Sequence, residues 1–114
     1  MKQHFSPILF AAVVTVLSGI TTISYAGLAE IEVALLNRDY AQAQKLAEDV
    51  LSSQPKDSEG QKAQYYLGLS QLRQAQYKEA LDSFNKIKDE KLGAQLRARV
   101  YLGLFDAYYL LEEY

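Results

Sequence analysis

Two segments decide the fold: Tyr40-Ala41-Gln42-Ala43-Gln44-Lys45-Leu46-Ala47-Glu48-Asp49-Val50 and Tyr77-Lys78-Glu79-Ala80-Leu81-Asp82-Ser83-Phe84-Asn85-Lys86-Ile87. Tyr40, Ala43, Ala47 and Val50 of the first recur as Tyr77, Ala80, Phe84 and Ile87 of the second, each 37 residues later (77−40, 87−50). A fixed step of this length is the signature of stacked helical hairpins. Such repeats build extended binding surfaces rather than catalytic pockets. The chain is therefore expected to be an all-α interaction module.

Working outward, Leu28, Ile31 and Leu35 share one face of a first helix expected over about Leu28–Leu36. Asn37-Arg38-Asp39 is a polar turn. Tyr40 opens a second helix whose buried stripe is Ala43, Leu46, Ala47, Val50 and Leu51, and Pro55 stops it. Ser58-Glu59-Gly60-Gln61 has the spacing of a capping box. It starts a third helix over about Glu59–Gln74, with Ala63, Tyr66, Leu67, Ser70 and Leu72 inward. Gly68 in its middle costs about 1 kcal/mol against alanine, which is tolerable if a neighbouring helix packs on the bare backbone. Tyr77 opens the fourth helix, packed through Ala80, Leu81, Phe84 and Ile87, and Lys88–Lys91 is a charged connector. A fifth helix is expected over about Leu92–Glu112, in which Ala98, Tyr101, Leu102 and Gly103 echo Ala63, Tyr66, Leu67 and Gly68 at a step of 35 (103−68).

Leu67-Gly68 followed by Tyr77, Ala80, Phe84 and Ile87 resembles the tetratricopeptide repeat pattern, a leucine–glycine pair followed by Tyr…Ala…Phe…Ala. The first copy keeps Tyr40, Ala43 and Pro55, with Ile31 in the glycine's place, and the third keeps Leu102-Gly103. The resemblance covers nearly all of Gly27–Tyr114. It implies antiparallel hairpins stacked as a short right-handed solenoid of about two and a half repeats: residues 27–57, 58–91, and 92–114 as a first helix of a third repeat or a terminal helix. Steps of 37 and 35 exceed the usual 34 of the family and imply longer inter-repeat loops.

In that family the first helix of each hairpin lines a concave groove. Carried over by register, the groove would present Lys62, Tyr65, Leu69, Leu72 and Arg73 from the second repeat. The third would add Arg97, Val100, Leu104 and Tyr108, with Tyr101 beside them. Tyrosine and arginine are the usual anchors of interface energy, and Arg73 and Arg97 are suited to fork onto a partner's carboxylate. The plainer reading is a row of long polar side chains on a solvated face. The family's clamp for a C-terminal carboxylate needs lysine and asparagine where this chain has Tyr65 and Leu69, so chaperone-tail capture is not expected. Tyr101, Tyr108, Tyr109 and Tyr114 crowd the last helix, either as an aromatic platform or, the preferred reading, as core awaiting a neighbour.

Residues 1–26 read as a secretory signal. Lys2 is followed by an almost wholly apolar run from Phe5 to Ile20, and Ser24-Tyr25-Ala26 places small residues at a cleavage site after Ala26. The run is shorter than the roughly 20 residues that span a bilayer, which disfavours the alternative of an uncleaved anchor. The absence of cysteine excludes a lipid anchor, disulfides and thiolate metal sites. The periplasm of a bacterium is the expected compartment, and the combination resembles exported tetratricopeptide proteins of the cell envelope. The mature chain would hold 88 residues (114−26), one small domain. Losing Lys2 takes the formal charge from −2 to −3, and charges of both signs are interspersed. That disfavours nucleic acid and anionic membrane surfaces.

The one histidine, His4, lies in the signal. A mature chain with neither histidine nor cysteine lacks the commonest general base, the thiolate nucleophile and the usual zinc ligands. Asp89-Glu90 and Glu112-Glu113 read as solvated charge, Asp57-Ser58-Glu59-Gly60 lacks a calcium-loop ladder, and Gly68 and Gly103 form no phosphate-cradling loop. No enzymatic activity and no cofactor are expected. The expected function is a non-enzymatic scaffold or adaptor for a protein or peptide partner. The alternative is a structural spacer or self-assembly segment, or a fragment of a longer repeat protein, without its own groove ligand. The last helix is expected to end on another subunit or partner, to seal the second hairpin, or to continue into further repeats. A homo-oligomer through that helix belongs to the first case.

Overall fold

A computed structural model describes residues 19–55, 57–87 and 92–113. Residues 1–18, which hold most of the segment read as a signal, Lys56, the connector Lys88–Lys91 and Tyr114 lie outside the described residues. Among those described, all secondary structure is helical: α1 (Gly19–Leu36), α2 (Tyr40–Ser52), α3 (Asp57–Arg73), α4 (Tyr77–Asn85) and α5 (Ala94–Glu113). Each helix packs on its neighbours in sequence, α1 also meets α3, and α3 meets α5.

Two of the turns are the same object, 37 residues apart. At the end of α1 the Asp39 amide donates to the Ala34 carbonyl at 2.8 Å and the Arg38 amide to Leu35 at 3.0 Å. At the end of α3 the Gln76 amide donates to Gln71 at 2.9 Å and the Ala75 amide to Leu72 at 3.1 Å. Both are Schellman closures, which require a left-handed residue just past the helix. Arg38 (φ 61°) and Ala75 (φ 63°) fill that place without being glycine. Asp39 then caps α2 through its side chain, accepting from the Gln42 amide at 3.3 Å. Gln76, its counterpart at α4, makes no side-chain cap bond.

The core has two lobes. In the first, Ile31 and Ala34 of α1 and Ala43 and Ala47 of α2 enclose Tyr66 and Leu67 of α3. In the second, Leu72 of α3, Ala80, Leu81 and Phe84 of α4, and Val100 and Ala107 of α5 pack together with Leu92. The alanines expected on the buried faces are fully covered: Ala43, Ala47, Ala63 and Ala80. The buried Ser70, Gln71 and Ser83 are hydrogen-bonded. The Ser83 hydroxyl donates to Gln71 Oε1 at 2.5 Å, Ser70 to the Leu67 carbonyl at 2.9 Å, and Gln64 Nε2 to the Ser83 carbonyl at 3.0 Å. Gln74 Nε2 ties α3 to the start of α2 through Gln44 Oε1 at 2.6 Å.

Phe84 joins the layers. Its ring is buried between two glycines, Gly68 on α3 and Gly103 on α5. A methyl group at Gly68 would lie 2.5 Å from Phe84 Cε1, and one at Gly103 would lie 2.7 Å from Cζ. Gly68 is thus the bare-backbone contact expected from the sequence, and the echoing glycine 35 residues on makes a second.

Several boundaries differ from expectation, the start of α5 among them, at Ala94 rather than Leu92. The structure carries α1 back to Gly19 rather than Leu28, because nothing between the two breaks the ladder and propagation adds a bond per residue. It starts α3 at Asp57, so Ser58 already lies in the first turn and is not the N-cap. It ends α4 at Asn85, with Ile87 in the following turn yet still against the core.

At an exposed helix site, glycine to alanine stabilises by about 1 kcal/mol. Here the ring opposes it, so Gly68→Ala is expected to destabilise by about 1–2 kcal/mol net in a thermal melt. Trimming the ring in Gly68→Ala/Phe84→Leu should recover part of that loss. At the turn the sign reverses: Ala75→Gly relieves a left-handed alanine and is expected to stabilise by about 1 kcal/mol, raising Tm by roughly 4–8 °C.

Candidate functional site

The first helices α1, α3 and α5 lie side by side, and a polar cluster crosses them. Tyr65 and Tyr66 on α3 form its centre, with ring centroids 5.7 Å apart and planes tilted by 51°. Consecutive helical residues diverge by about 100°, so the two rings serve different neighbours. Tyr65 leans on Phe84 (centroids 6.0 Å apart). The Tyr66 hydroxyl reaches α1 and donates to Glu32 Oε2. From α5, Arg99 acts on both hydroxyls, and Arg73, in the last turn of α3, acts on that of Tyr65.

The electrostatics follow from burial first. Burial raises the Tyr65 pKa above its ordinary 10.0, against the pull of Arg99 and Arg73. Burial also raises Tyr66, and the hydrogen bond and charge of Glu32 add to the shift while Arg99 opposes it. Both phenols are therefore neutral donors at physiological pH. Arg73, Arg99 and Lys62 are exposed around them. The cluster offers the Tyr65 phenol, an aromatic face and cations, the Tyr66 proton being already donated to Glu32. It suits a carboxylate carried next to an apolar group.

The residues named from register divide into two groups. Lys62 and Arg73 are exposed on α3, while Tyr65 and Leu69 are half-buried beside them. Leu72 is a correction: it is 5% exposed and belongs to the core. On α5 the expected row breaks up. Val100, also 5% exposed, is core rather than groove, and Leu104 packs half-buried on the same cluster. Arg97 turns back, its Nη2 donating to the Leu92 carbonyl at 3.2 Å, and Arg99 takes the place expected of it. Tyr101 and Tyr108 are exposed on the far side of α5, away from Val100 and Ala107.

One cause accounts for the α5 differences. The step of 35 assumes that α5 meets α4 as α3 meets α2, through Ala98, Tyr101, Leu102 and Phe105 in place of Ala63, Tyr66, Leu67 and Ser70. Instead α5 meets α4 through Val100, Gly103 and Ala107, the counterparts of Tyr65, Gly68 and Leu72, with which α3 meets α4. The two glycine faces close on Phe84 from opposite sides. Leu102 (61% exposed), Phe105 (65%) and Tyr109 (57%) are consequently turned outward. Exposure of Tyr101, Tyr108 and Tyr109 fits both readings of the tyrosine-rich stripe, an aromatic platform or core awaiting a neighbour. Glu32, Tyr66 and Arg99 were missed as site residues. A tyrosine pair followed by an arginine 33 residues after Tyr66 (99−66) carries no local signal, since helix rotation alone brings them together.

A shallow cavity of about 420 Å³ lies apart from this cluster, between α1 and α2, with Val33 and Leu46 in its walls and Glu30 and Asp39 at its edge. Among the described residues no three of His, Cys, Asp and Glu converge as a metal would require. No helix among them is long and apolar enough to cross a membrane.

The chain matches no family model, no curated protein and no solved structure at a significant level.

Alkaline titration tests the site geometry. A folded pKa raised above the unfolded value means that the native state holds a proton the unfolded chain gives up near pH 10. The stability this adds is present below pH 10 and declines as pH rises through the folded value. Tyr66→Phe is therefore expected to flatten the loss of stability above pH 10. At pH 7 it should lose about 0.5–1.5 kcal/mol with the hydrogen bond to Glu32. Denaturant midpoints from pH 7 to 11 read both effects.

Proposed function

We propose that the chain is a non-enzymatic adaptor of tetratricopeptide type, holding a protein segment against the shared face of α1, α3 and α5. The observation that carries this reading is the Tyr65–Tyr66 pair flanked by Arg73 and Arg99, with Glu32 fixing Tyr66 from the neighbouring hairpin. The duplicated Schellman turns, 37 residues apart, support the repeat reading at the level of backbone geometry. Tyrosine and arginine concentrate interface energy because they combine area with directed donors. The bound segment presents a carboxylate to the arginines and an apolar group to the rings. The two core lobes share Tyr65, which packs on both, and site residues carried on packed helices lose little ordering free energy on binding.

We place this activity in the bacterial envelope, in the periplasm, on the strength of residues 1–26. Lys2, the apolar run and Ser24-Tyr25-Ala26 support export and cleavage. The intact mass of the native protein in the soluble envelope fraction tests this. A species smaller than 12.8 kDa by residues 1–26 is expected, and the full mass in the membrane pellet contradicts export by a cleaved signal.

The adaptor reading is tested by crosslinking in the envelope followed by recovery of the tagged chain. Arg73→Ala/Arg99→Ala changes only exposed side chains and is expected to leave the helical circular dichroism unchanged. Recovery of the partner should fall by roughly tenfold or more, as for loss of central anchors. Equal recovery by the double variant favours the spacer over the adaptor.

A further inference from the structure

The outward face of α5 is composed like a packing face. Ala98, Tyr101, Leu102 and Phe105 stand 35 residues after Ala63, Tyr66, Leu67 and Ser70, all four of which are buried. On α5 Tyr101, Leu102, Phe105, Tyr108 and Tyr109 are each more than half exposed. The rings of Phe105 and Tyr109 are stacked, 6.4 Å between centroids and 16° between planes, which makes a flat preformed surface. Exposed apolar patches of this kind on a small domain mark a docking site.

We infer that this face is a self-docking surface, on which a second copy of the chain lies antiparallel about a two-fold axis at Phe105. The aromatic stripe is separate from the groove, but Arg99, exposed on the flank between them, borders both and is shared with the groove reading. Charge sets the direction. Arg97 and Arg99 sit in the first half of α5, and Asp106 and Glu112 in the second. An antiparallel pair brings Glu112 of one copy opposite Ala98 of the other (112−105 = 105−98), beside Arg99. A parallel pair would set like charges together. The antiparallel arrangement also opposes the two helix dipoles. With the axis at Phe105, Tyr101 meets Tyr109 and Leu102 meets Tyr108 of the second copy, so apolar residues meet apolar residues from Tyr101 to Tyr109.

Size sets the strength. Four half-exposed aromatic side chains and one leucine offer roughly 500–600 Å² per copy, at about 200 Å² for a whole aromatic side chain. The pair would bury about 1,100 Å², the lower edge of specific interfaces. A reversible dimer with a Kd on the order of 1–100 µM is therefore expected rather than an obligate one. A formal charge of only −2 per chain adds little overall repulsion.

Sedimentation equilibrium of the chain between about 1 and 300 µM tests the inference. A monomer–dimer equilibrium is expected. Phe105→Glu should abolish it while leaving the thermal melt unchanged, the residue being exposed. Should that variant fold poorly, Glu112→Arg at the edge serves instead, expected to weaken the dimer about tenfold. Register is tested by mixing Glu112→Arg with Arg99→Glu. Each alone sets like charges together, and the mixture restores both contacts, so a heterodimer should form at least as tightly as the unmodified pair. A monomer throughout the range, a trimer or open polymer, a dimer unaffected by Phe105→Glu, or failure of the mixture to re-associate would each overturn the inference.

Discussion

The Phe84 ring between Gly68 and Gly103 is the contact on which the rest of the molecule depends. Among the described residues it is the largest fully buried side chain, and from α4 it lies against both α3 and α5. Two glycines in mid-helix are each unfavourable locally, by about 1 kcal/mol. They persist because the ring needs both gaps at once. Once Gly103 is held on Phe84, the rotation of α5 is set. Val100 and Ala107 go inward, Arg99 goes to the tyrosine pair, and the aromatic stripe goes outward. Site and docking face thus share one packing origin.

The polar site is built on that frame rather than on loops. Tyr65 borrows its position from Phe84, and Tyr66 from Glu32 across the hairpin boundary. The neutral Tyr65 phenol and the two arginines are carried on packed helices, while the Tyr66 proton is held by Glu32. Both arginines are exposed, so the strength of any contact they make will depend on salt as well as on geometry.

Much of the fold is readable in the chain because repetition is a non-local signal that needs no structure. The Tyr…Ala…Phe…Ile step located the starts of α2 and α4 to the residue, and the alanine stripe identified the packed face. Helix starts were harder. Residues 19–27 contain no proline and simply extend a helix that periodicity could date only from Leu28. Ser58 had the spacing of a cap, but Asp57 is already helical. The rotation of α5 was beyond the repeat step altogether. Ala98-Tyr101-Leu102 and Val100-Gly103-Ala107 are both credible packing faces. Only the fit of Gly103 against one aromatic ring chooses between them. Arg99 therefore replaces Arg97 at the site, for a reason no pairwise spacing contains.

The most direct test of this account is a proton–proton NOE measurement on the Phe84 ring in solution. The account requires cross-peaks from that one ring to the Hα protons of both Gly68 and Gly103, with none from α4 to Leu102 or Phe105. Contacts from Phe84 to Gly68 alone, with Tyr101 and Leu102 lying against Ala80 and Phe84, would contradict it. In that case α5 packs as a plain translational repeat, and its aromatic face is ordinary core.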